Sequence, residues 1–198
     1  MRRLKSKKKE AKKRQRNQII IGVILVVVMF GSVFGLATLS FDNQEEGNGI
    51  NYNGYEFVGS GSSWYLNLGD KEYYFQYNPF QIEESFNLTT ENLKYIGAYS
   101  GIPLYISSLS NYNAESEIAR NFNGVPLRIQ KACLDGNFTT EDCPADLPIK
   151  DCSSNFIIIR EGPEKRIYQE EGCVYIEGEP ENLIKLTDDY LFRIMGIK

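Results

Sequence analysis

Apolar and polar positions divide this chain into three stretches. Ile19 to Phe41 runs for 23 residues without a charge. At about 1.5 Å per residue such a helix is about 34 Å long, enough to cross a hydrocarbon core of about 30 Å, so a transmembrane helix is predicted over 19–41. Asp42 to Tyr52 is polar, acidic and glycine-bearing, which predicts a linker over 42–52. Beyond it the apolar residues alternate. Tyr55 to Val58 reads as a strand, followed by the turn-forming "GSGSS". Trp64, Leu66 and Leu68 alternate with Tyr65 and Asn67, and Tyr73, Phe75 and Tyr77 with Tyr74 and Gln76. With Gly69-Asp70 between them, the two runs predict a hairpin that ends at Asn78-Pro79.

Ile102 to Ser107 is a further strand, with Pro103 marking an edge or a first residue. The period then lengthens. Ala114, Ile118, Ala119 and Phe122 share one helical face, Glu115 and Glu117 sit near the favourable N-terminus, and Gly124 closes the helix. Val125, Leu127 and Ile129 resume the strand period, giving a strand–helix–strand unit with parallel strands. Phe156 to Ile159 is apolar throughout, as a central strand covered on both faces is. "RIYQEEGCVYIEG" predicts a second hairpin around Glu171-Gly172. Pro180 opens a last helix and Gly196 follows its end. Its buried stripe is Leu183, Leu186, Tyr190, Leu191 and Ile194, with Asp188 and Asp189 facing out. The expected fold class is α+β: an N-terminal transmembrane helix, then one mixed β-sheet domain with packed helices over 53–198.

Charge orients this arrangement. Ten basic residues and one acid precede Ile19, whereas the chain from Asp42 onward carries 12 basic and 25 acidic residues. Lys and Arg are retained on the cytoplasmic side. The 1–18 tail is therefore expected inside against the lipid bilayer, and the C-terminal domain outside, in a single-pass protein of the cell membrane. The acidic outer domain argues against a nucleic-acid partner there. A cleaved signal peptide is the rival, with Gly35-Leu36-Ala37 as small residues for cleavage, but apolar cores of signal peptides are shorter. Gly31 and Gly35 match the small-xxx-small pattern for helix association, which would serve self-association or a membrane-protein partner.

The chain has no His, which removes His-based nucleophile systems and His-ligated metal sites. Its four cysteines, Cys133, Cys143, Cys152 and Cys173, all lie in the predicted outer domain and are even in number, which favours disulfides. Of the three pairings, Cys133 with Cys143 and Cys152 with Cys173 is preferred: the first encloses a polar loop and the second ties a strand to the last hairpin. The intervening gaps of nine, eight and twenty residues fit neither the C-x₂₋₄-C of zinc sites nor the C-x-x-C of redox sites. No metal or cofactor is expected. Asn87-Leu88-Thr89 and Asn137-Phe138-Thr139 are glycosylation sequons.

Candidate chemistry is sparse, and no catalytic residue stands out. Glu83-Glu84, Glu170-Glu171 and Asp188-Asp189 are paired acids, the type of residue glycoside hydrolysis uses, but adjacent acids are ordinarily a solvated face. Ten of the 13 tyrosines fall between Tyr52 and Tyr112. With Trp64, they offer stiff contact area with a polar tip, and Trp64, Tyr65 and Tyr74 form the candidate binding face.

The segments "NGYEF", "YNPFQIEE", "AESEIARNF", "KAC", "GCVYIEG" and "LIKLTDDYLFRIMGI" give the outer domain a likeness to other proteins. It resembles a group of small membrane-anchored archaeal proteins of unassigned function. That resemblance implies an extracytoplasmic domain stapled through its cysteines and carries over no activity and no site. The leading expectation is a non-catalytic, membrane-anchored module that binds an envelope component or a partner protein. A membrane-anchored hydrolase using carboxylates or Ser/Lys is the alternative. A pilin-like filament subunit is a third reading, although Arg16-Asn17-Gln18 lacks the small residue at which such leaders are cut.

Overall fold

The computed structural model describes residues 20–23, 49–90, 92–108, 112–135 and 143–198. The chain divides into two units, 1–47 and 48–198. In the first, residues 20–23 are helical. Among the described residues no helix is long and apolar enough to cross a membrane. The rest of the 19–41 segment, with Gly31 and Gly35, lies outside the described residues, as do the basic tail and linker residues 42–48.

The second unit opens with four strands, β1 (Gly49–Tyr52), β2 (Tyr55–Ser60), β3 (Ser63–Leu68) and β4 (Lys71–Phe75), in one antiparallel meander. The hairpin expected around Gly69-Asp70 is β3–β4, with Trp64 opposite Phe75 and Tyr65 opposite Tyr74. Residues 49–52, assigned from sequence to the linker, already form β1. The signal for it is the Asn53-Gly54 turn, where both residues have positive φ, 50° and 87°, the conformation that matches the twist of flanking strands. After β4, Asn78 caps a short helix, α1 (Pro79–Glu83). Its side chain accepts the Gln81 N–H while the Gln81 side chain accepts the Asn78 N–H, both at 2.9 Å. This reciprocal cap turns the chain out of the sheet.

The second sheet is built from β5 (Pro103–Ser108), β6 (Arg128–Lys131), β9 (Asn155–Glu161), β10 (Arg166–Glu170) and β11 (Cys173–Gly178), in the order β10-β11-β9-β5-β6. β5, β6, β9 and β11 are parallel and β10 is antiparallel. Between β6 and β9, β7 (Cys133–Leu134) and β8 (Ile149–Lys150) form a small parallel pair. Helix α2 (Tyr112–Phe122) makes the β5–β6 crossover, the expected strand–helix–strand unit. Its second strand starts at Arg128 rather than Val125, because the Val125 N–H still bonds the Phe122 carbonyl at 2.9 Å. Pro103 is the first residue of an interior strand, where its missing N–H is tolerated. The apolar run at Phe156–Ile159 is the central strand β9.

The strands therefore belong to two main sheets and one minor pair, not to a single mixed sheet. The meander stops at β4 because side chains, not another strand, take its outer main-chain groups. The side-chain amide of Asn121 on α2 donates to the Tyr74 carbonyl at 2.7 Å and accepts the Tyr74 N–H at 2.9 Å. The last helix, α3 (Leu183–Ile194), packs with α2 in a core that gathers Phe57, Leu66 and Phe75 of the first sheet with Leu104, Ile157 and Ile176 of the second. A smaller cluster, with Tyr105, Leu134, Phe156, Ile158 and Tyr175, fills the opposite face of the second sheet.

Asp188 and Asp189 do not face out. Nine residues of α3 are buried, and both aspartates are 0% exposed. A helix covered on all sides has no solvent face to give them, so each must find polar partners inside.

Candidate functional site

The buried acids account for much of the polar interior. Asp189 accepts Arg193 Nε at 2.9 Å and Lys198 Nζ at 2.8 Å. Asp188 Oδ2 accepts the main-chain N–H groups of Gln76 and Tyr77 at 3.1 and 2.8 Å. The Asp188 carboxyl also interacts with that of Glu117 of α2, which is 3% exposed and pairs with Arg120. Glu117 Oε1 and Asp188 Oδ1 are buried without a hydrogen-bond partner among the described residues. Two carboxyl groups so placed cannot both ionise cheaply. Burial first, and the Glu117 charge second, push Asp188 well above the usual carboxylate range, and burial pushes Glu117 up as well. The pair joins α2, α3 and the end of β4. These are the acids that converge, and they do so in the core.

The open site lies at the hairpin of β10 and β11. Its turn is Glu171-Gly172, with Glu171 at φ 51°. A Cβ on Gly172 would sit 2.2 Å from the Ser154 carbonyl oxygen and 2.4 Å from that of Cys152. The Gly172 N–H bonds the Cys152 carbonyl at 2.8 Å, and the Cys152–Cys173 disulfide closes the same corner. Glu170 faces Cys173 across the two-residue turn, so in this antiparallel pair Glu170, Tyr168 and Arg166 turn their main-chain groups toward β11. Ile167 and Gln169 turn theirs away from it.

β10 ends its sheet, but its edge is covered: Ile167 is 3% exposed. A groove of about 400 Å³ lies there, with Leu88 and Thr89 on one side and Lys165, Arg166, Ile167, Tyr168 and Glu170 on the other. Successive strand residues point to opposite faces. A groove lined by four in a row therefore follows the strand's edge, not one of its faces. Arg193 fixes the opposite wall, donating to the Leu88 carbonyl at 2.7 Å and to Thr90 Oγ1 at 2.9 Å while Asp189 holds its Nε. At the far end the Lys94 N–H donates to Gln169 Oε1 at 3.0 Å.

Charges and rings stiffen the strand side. Tyr168 stacks on Tyr175 with ring centroids 4.8 Å apart. The Arg166 guanidinium lies 5.4 Å from the Tyr168 ring, and that of Arg160 lies 5.0 Å from Tyr175. Glu177 accepts hydrogen bonds from both arginines and from the Tyr168 hydroxyl. Burial opposes its ionisation, but the two guanidinium groups outweigh burial and hold Glu177 below its usual range. For Tyr168, burial and then the Glu177 charge raise the phenol. Tyr168 is thereby fixed at the lip of the groove.

Comparison with protein-family models, curated proteins and solved structures found no match.

Of the residues singled out from sequence, Glu170 lines the groove, Asn87 adjoins it and the others fall elsewhere. Trp64 shares the inner face of β3 with Leu66 and packs against the core, so the strand period separates it from Tyr65 and Tyr74. Those two pair on the outer face with centroids 6.4 Å apart. Cys133 bonds Cys143 and Cys152 bonds Cys173, the preferred pairing. Asn87 is exposed and adjoins the groove wall at Leu88. Asn137 lies outside the described residues. Glu83 takes the Tyr52 hydroxyl at 2.5 Å, and burial first and this bond second push that phenol up to about 12. Glu170 lines the groove. The edge itself was missed because main-chain groups leave no mark on composition. The signal that existed was charge polarity, with Lys165 and Arg166 before the apolar centre of β10 and Glu170 and Glu171 after it.

Proposed function

We propose that this chain is a membrane-tethered module whose outer domain recognises a protein at the groove beside β10, without catalysis. The observation that carries the reading is the groove of about 400 Å³ between Leu88–Thr89 and the β10 side at Lys165, Arg166, Tyr168 and Glu170. Its lining sets Leu88 and Tyr168 among Thr89, Lys165, Arg166 and Glu170, the mixture of apolar and polar contact that protein interfaces use. Two disulfides and the uncharged run behind ten cations support an outward location in an oxidising compartment.

The test is photo-crosslinking from single positions of the full chain in native membranes. A crosslinker at exposed Thr89, on the groove wall, captures protein, while one at Leu127, 71% exposed but far from the groove in the fold, does not. Protease added to intact cells removes the outer domain. Equal capture at the two positions, no capture at Thr89, or a domain that resists protease until the cells are opened overturns the proposal.

A further inference from the structure

We infer that the outer face of the first sheet binds a neutral, hydroxyl-rich polysaccharide along a stripe formed by Val58, Tyr65 and Tyr74. This face belongs to the other sheet from the groove beside β10, so it is a second site. Only the source of the ligand rests on the outward placement proposed above: a domain on a membrane anchor stands among the polysaccharides of the cell's own envelope.

Strand register assembles the stripe. Gly49 opposes Val58, Val58 opposes Tyr65, and Tyr65 opposes Tyr74. One row therefore crosses all four strands, on the face opposite to that of Phe57, Leu66 and Phe75 in the core. With strands about 4.8 Å apart, its three side chains span about 10 Å, room for a disaccharide. Val58 and Tyr65 are half-buried and Tyr74 is 37% exposed. Polar rows flank the stripe. Two positions away along the strands, about 7 Å, lie Asn51, Glu56, Asn67 and Glu72, all exposed. On the other side Ser60 opposes Ser63.

Each part suits a sugar. The C–H groups of a sugar ring carry slight positive charge and pack on the negative face of an aromatic ring. The hydroxyls at its rim donate and accept. Carboxylates take hydroxyl protons in charge-assisted bonds, stronger than neutral ones, and the Asn51 and Asn67 amides donate as well as accept. Tyr74 is set in place beforehand. Asn121 holds its main chain, its hydroxyl donates to Glu72, and the Arg120 guanidinium lies 5.8 Å from its ring. A contact already ordered costs less to use. Charge then selects the class of ligand. The two flanking rows carry Glu56 and Glu72 and no cation, and Arg120 at the margin is held by Glu117. Acidic polysaccharides and phosphate backbones are repelled there. A second copy laid on this face would set acids against acids. A protein partner would want the centre of its contact depleted of charge, whereas here carboxylates stand beside the rings.

Affinity electrophoresis of the full-length protein, in a detergent without a sugar headgroup, tests the site. Native gels carry a neutral glucan, a neutral mannan or the neutral polysaccharide extracted from the cells that make the protein, and a further gel carries polygalacturonate. At least one neutral polysaccharide retards the protein, and polygalacturonate does not. Tyr65→Ala and Tyr74→Ala each weaken the binding by about ten-fold. Their melting is unchanged, because Asn121 holds the main chain of Tyr74 and not its ring. Tyr65→Phe, which keeps the ring, keeps the binding, and Glu56→Gln weakens it by a smaller factor. No retardation by any of the neutral polysaccharides, equal retardation by polygalacturonate, or binding indifferent to the loss of both rings overturns the inference. Capture from Thr89 reports on the groove alone, so either site can fail while the other stands.

Discussion

Asn121 stands to Tyr74 as a neighbouring strand would: one side-chain amide satisfies both the N–H and the carbonyl of a single residue at the edge of β4. The same amide donates to the Glu117 carbonyl at 3.0 Å, and Lys71 caps the end of α2 at the Asn121 and Asn123 carbonyls. Replacing Asn121, 1% exposed, with Leu leaves the Tyr74 N–H and carbonyl without their side-chain partner. The expected loss is about 2–4 kcal/mol, read as a lower urea midpoint at unchanged slope. An uncovered β4 also pairs with other molecules, so the variant self-associates on concentration. Wild-type stability and solubility in Asn121→Leu would contradict this role.

The Glu117–Asp188 pair makes stability fall as pH rises. Asp188 titrates near about 3.9 when unfolded and well above that when folded. Between those values the native state holds a proton that the unfolded state has lost, so stability is full below about pH 4 and declines toward the folded value. Asp188→Asn keeps an acceptor for the Gln76 and Tyr77 N–H groups and a donor for Glu117. It should flatten that decline and match or exceed wild type at pH 8. Asp188→Ala orphans two N–H groups, at about 1–3 kcal/mol each. Denaturation midpoints from pH 4 to 9 check both, and a wild-type slope retained by Asp188→Asn would sink the assignment.

Glu177 acts in the opposite direction. Its folded value is depressed, so its contribution is present above about pH 4.3, the unfolded value, and is lost as pH falls through the folded one. Because Arg160 and Arg166 remain 37% and 53% exposed, solvent limits the effect. Glu177→Gln should cost at most about 1 kcal/mol at pH 7 and loosen Tyr168. Denaturation at pH 7 and at pH 3 checks it: the difference between variant and wild type should shrink at the lower pH.

Gly172 tolerates no side chain. Gly172→Ala drives a Cβ into two carbonyl oxygens and forces the turn off the Cys152 strand approach. The expected outcome is a loss of several kcal/mol, about 3 or more for a close main-chain clash, with Cys152 and Cys173 partly reduced on isolation. Thiol counting under denaturing conditions detects the second effect, and a fully oxidised, stable Gly172→Ala would refute it.

Removing the Cys152–Cys173 bond should cost more than removing Cys133–Cys143. The sequence separations are 21 and 10, and the longer loop gains more from closure, within the usual 2–4 kcal/mol for each. Cys173 is also fully buried in the smaller cluster. Paired Cys→Ser variants compared by thermal melting measure the order, and equal or reversed losses would contradict it.

Much of this architecture was legible where one physical rule acted alone. The alternation from Trp64 to Tyr77, the unbroken apolar run of β9 and the Glu171-Gly172 turn each located their strands. The cysteine spacings located both bridges. Reading failed where context outweighed pattern. β1 is too short for its alternation to stand out without its turn. Leu127 fits a strand period, yet it lies in the approach to β6, 71% exposed. Helix α3 carries two adjacent acids that elsewhere would mark a wet face, but sheet, helix and chain end surround it. Glu117 and Asn121 lie on the same stripe of α2 as Ala114 and Ile118, and polar residues inside an apolar stripe were the available clue. The groove at β10 depends on where the Leu88–Thr89 segment lies, which Arg193 sets from a helix about a hundred residues away.

The Asn53 side chain donates to the Ile197 carbonyl at 3.0 Å, and Tyr55 reaches the Gly196 carbonyl at 3.4 Å, although 144 positions separate Asn53 from Ile197. Ile197 itself is buried. The ribosome therefore delivers the first hairpin of this domain long before the residues that clamp it, and native closure waits for them. Contacts so distant in sequence slow the search for the final arrangement, and an early hairpin left unclamped is open to stray pairing. During that interval a chaperone has its clearest opportunity to bind.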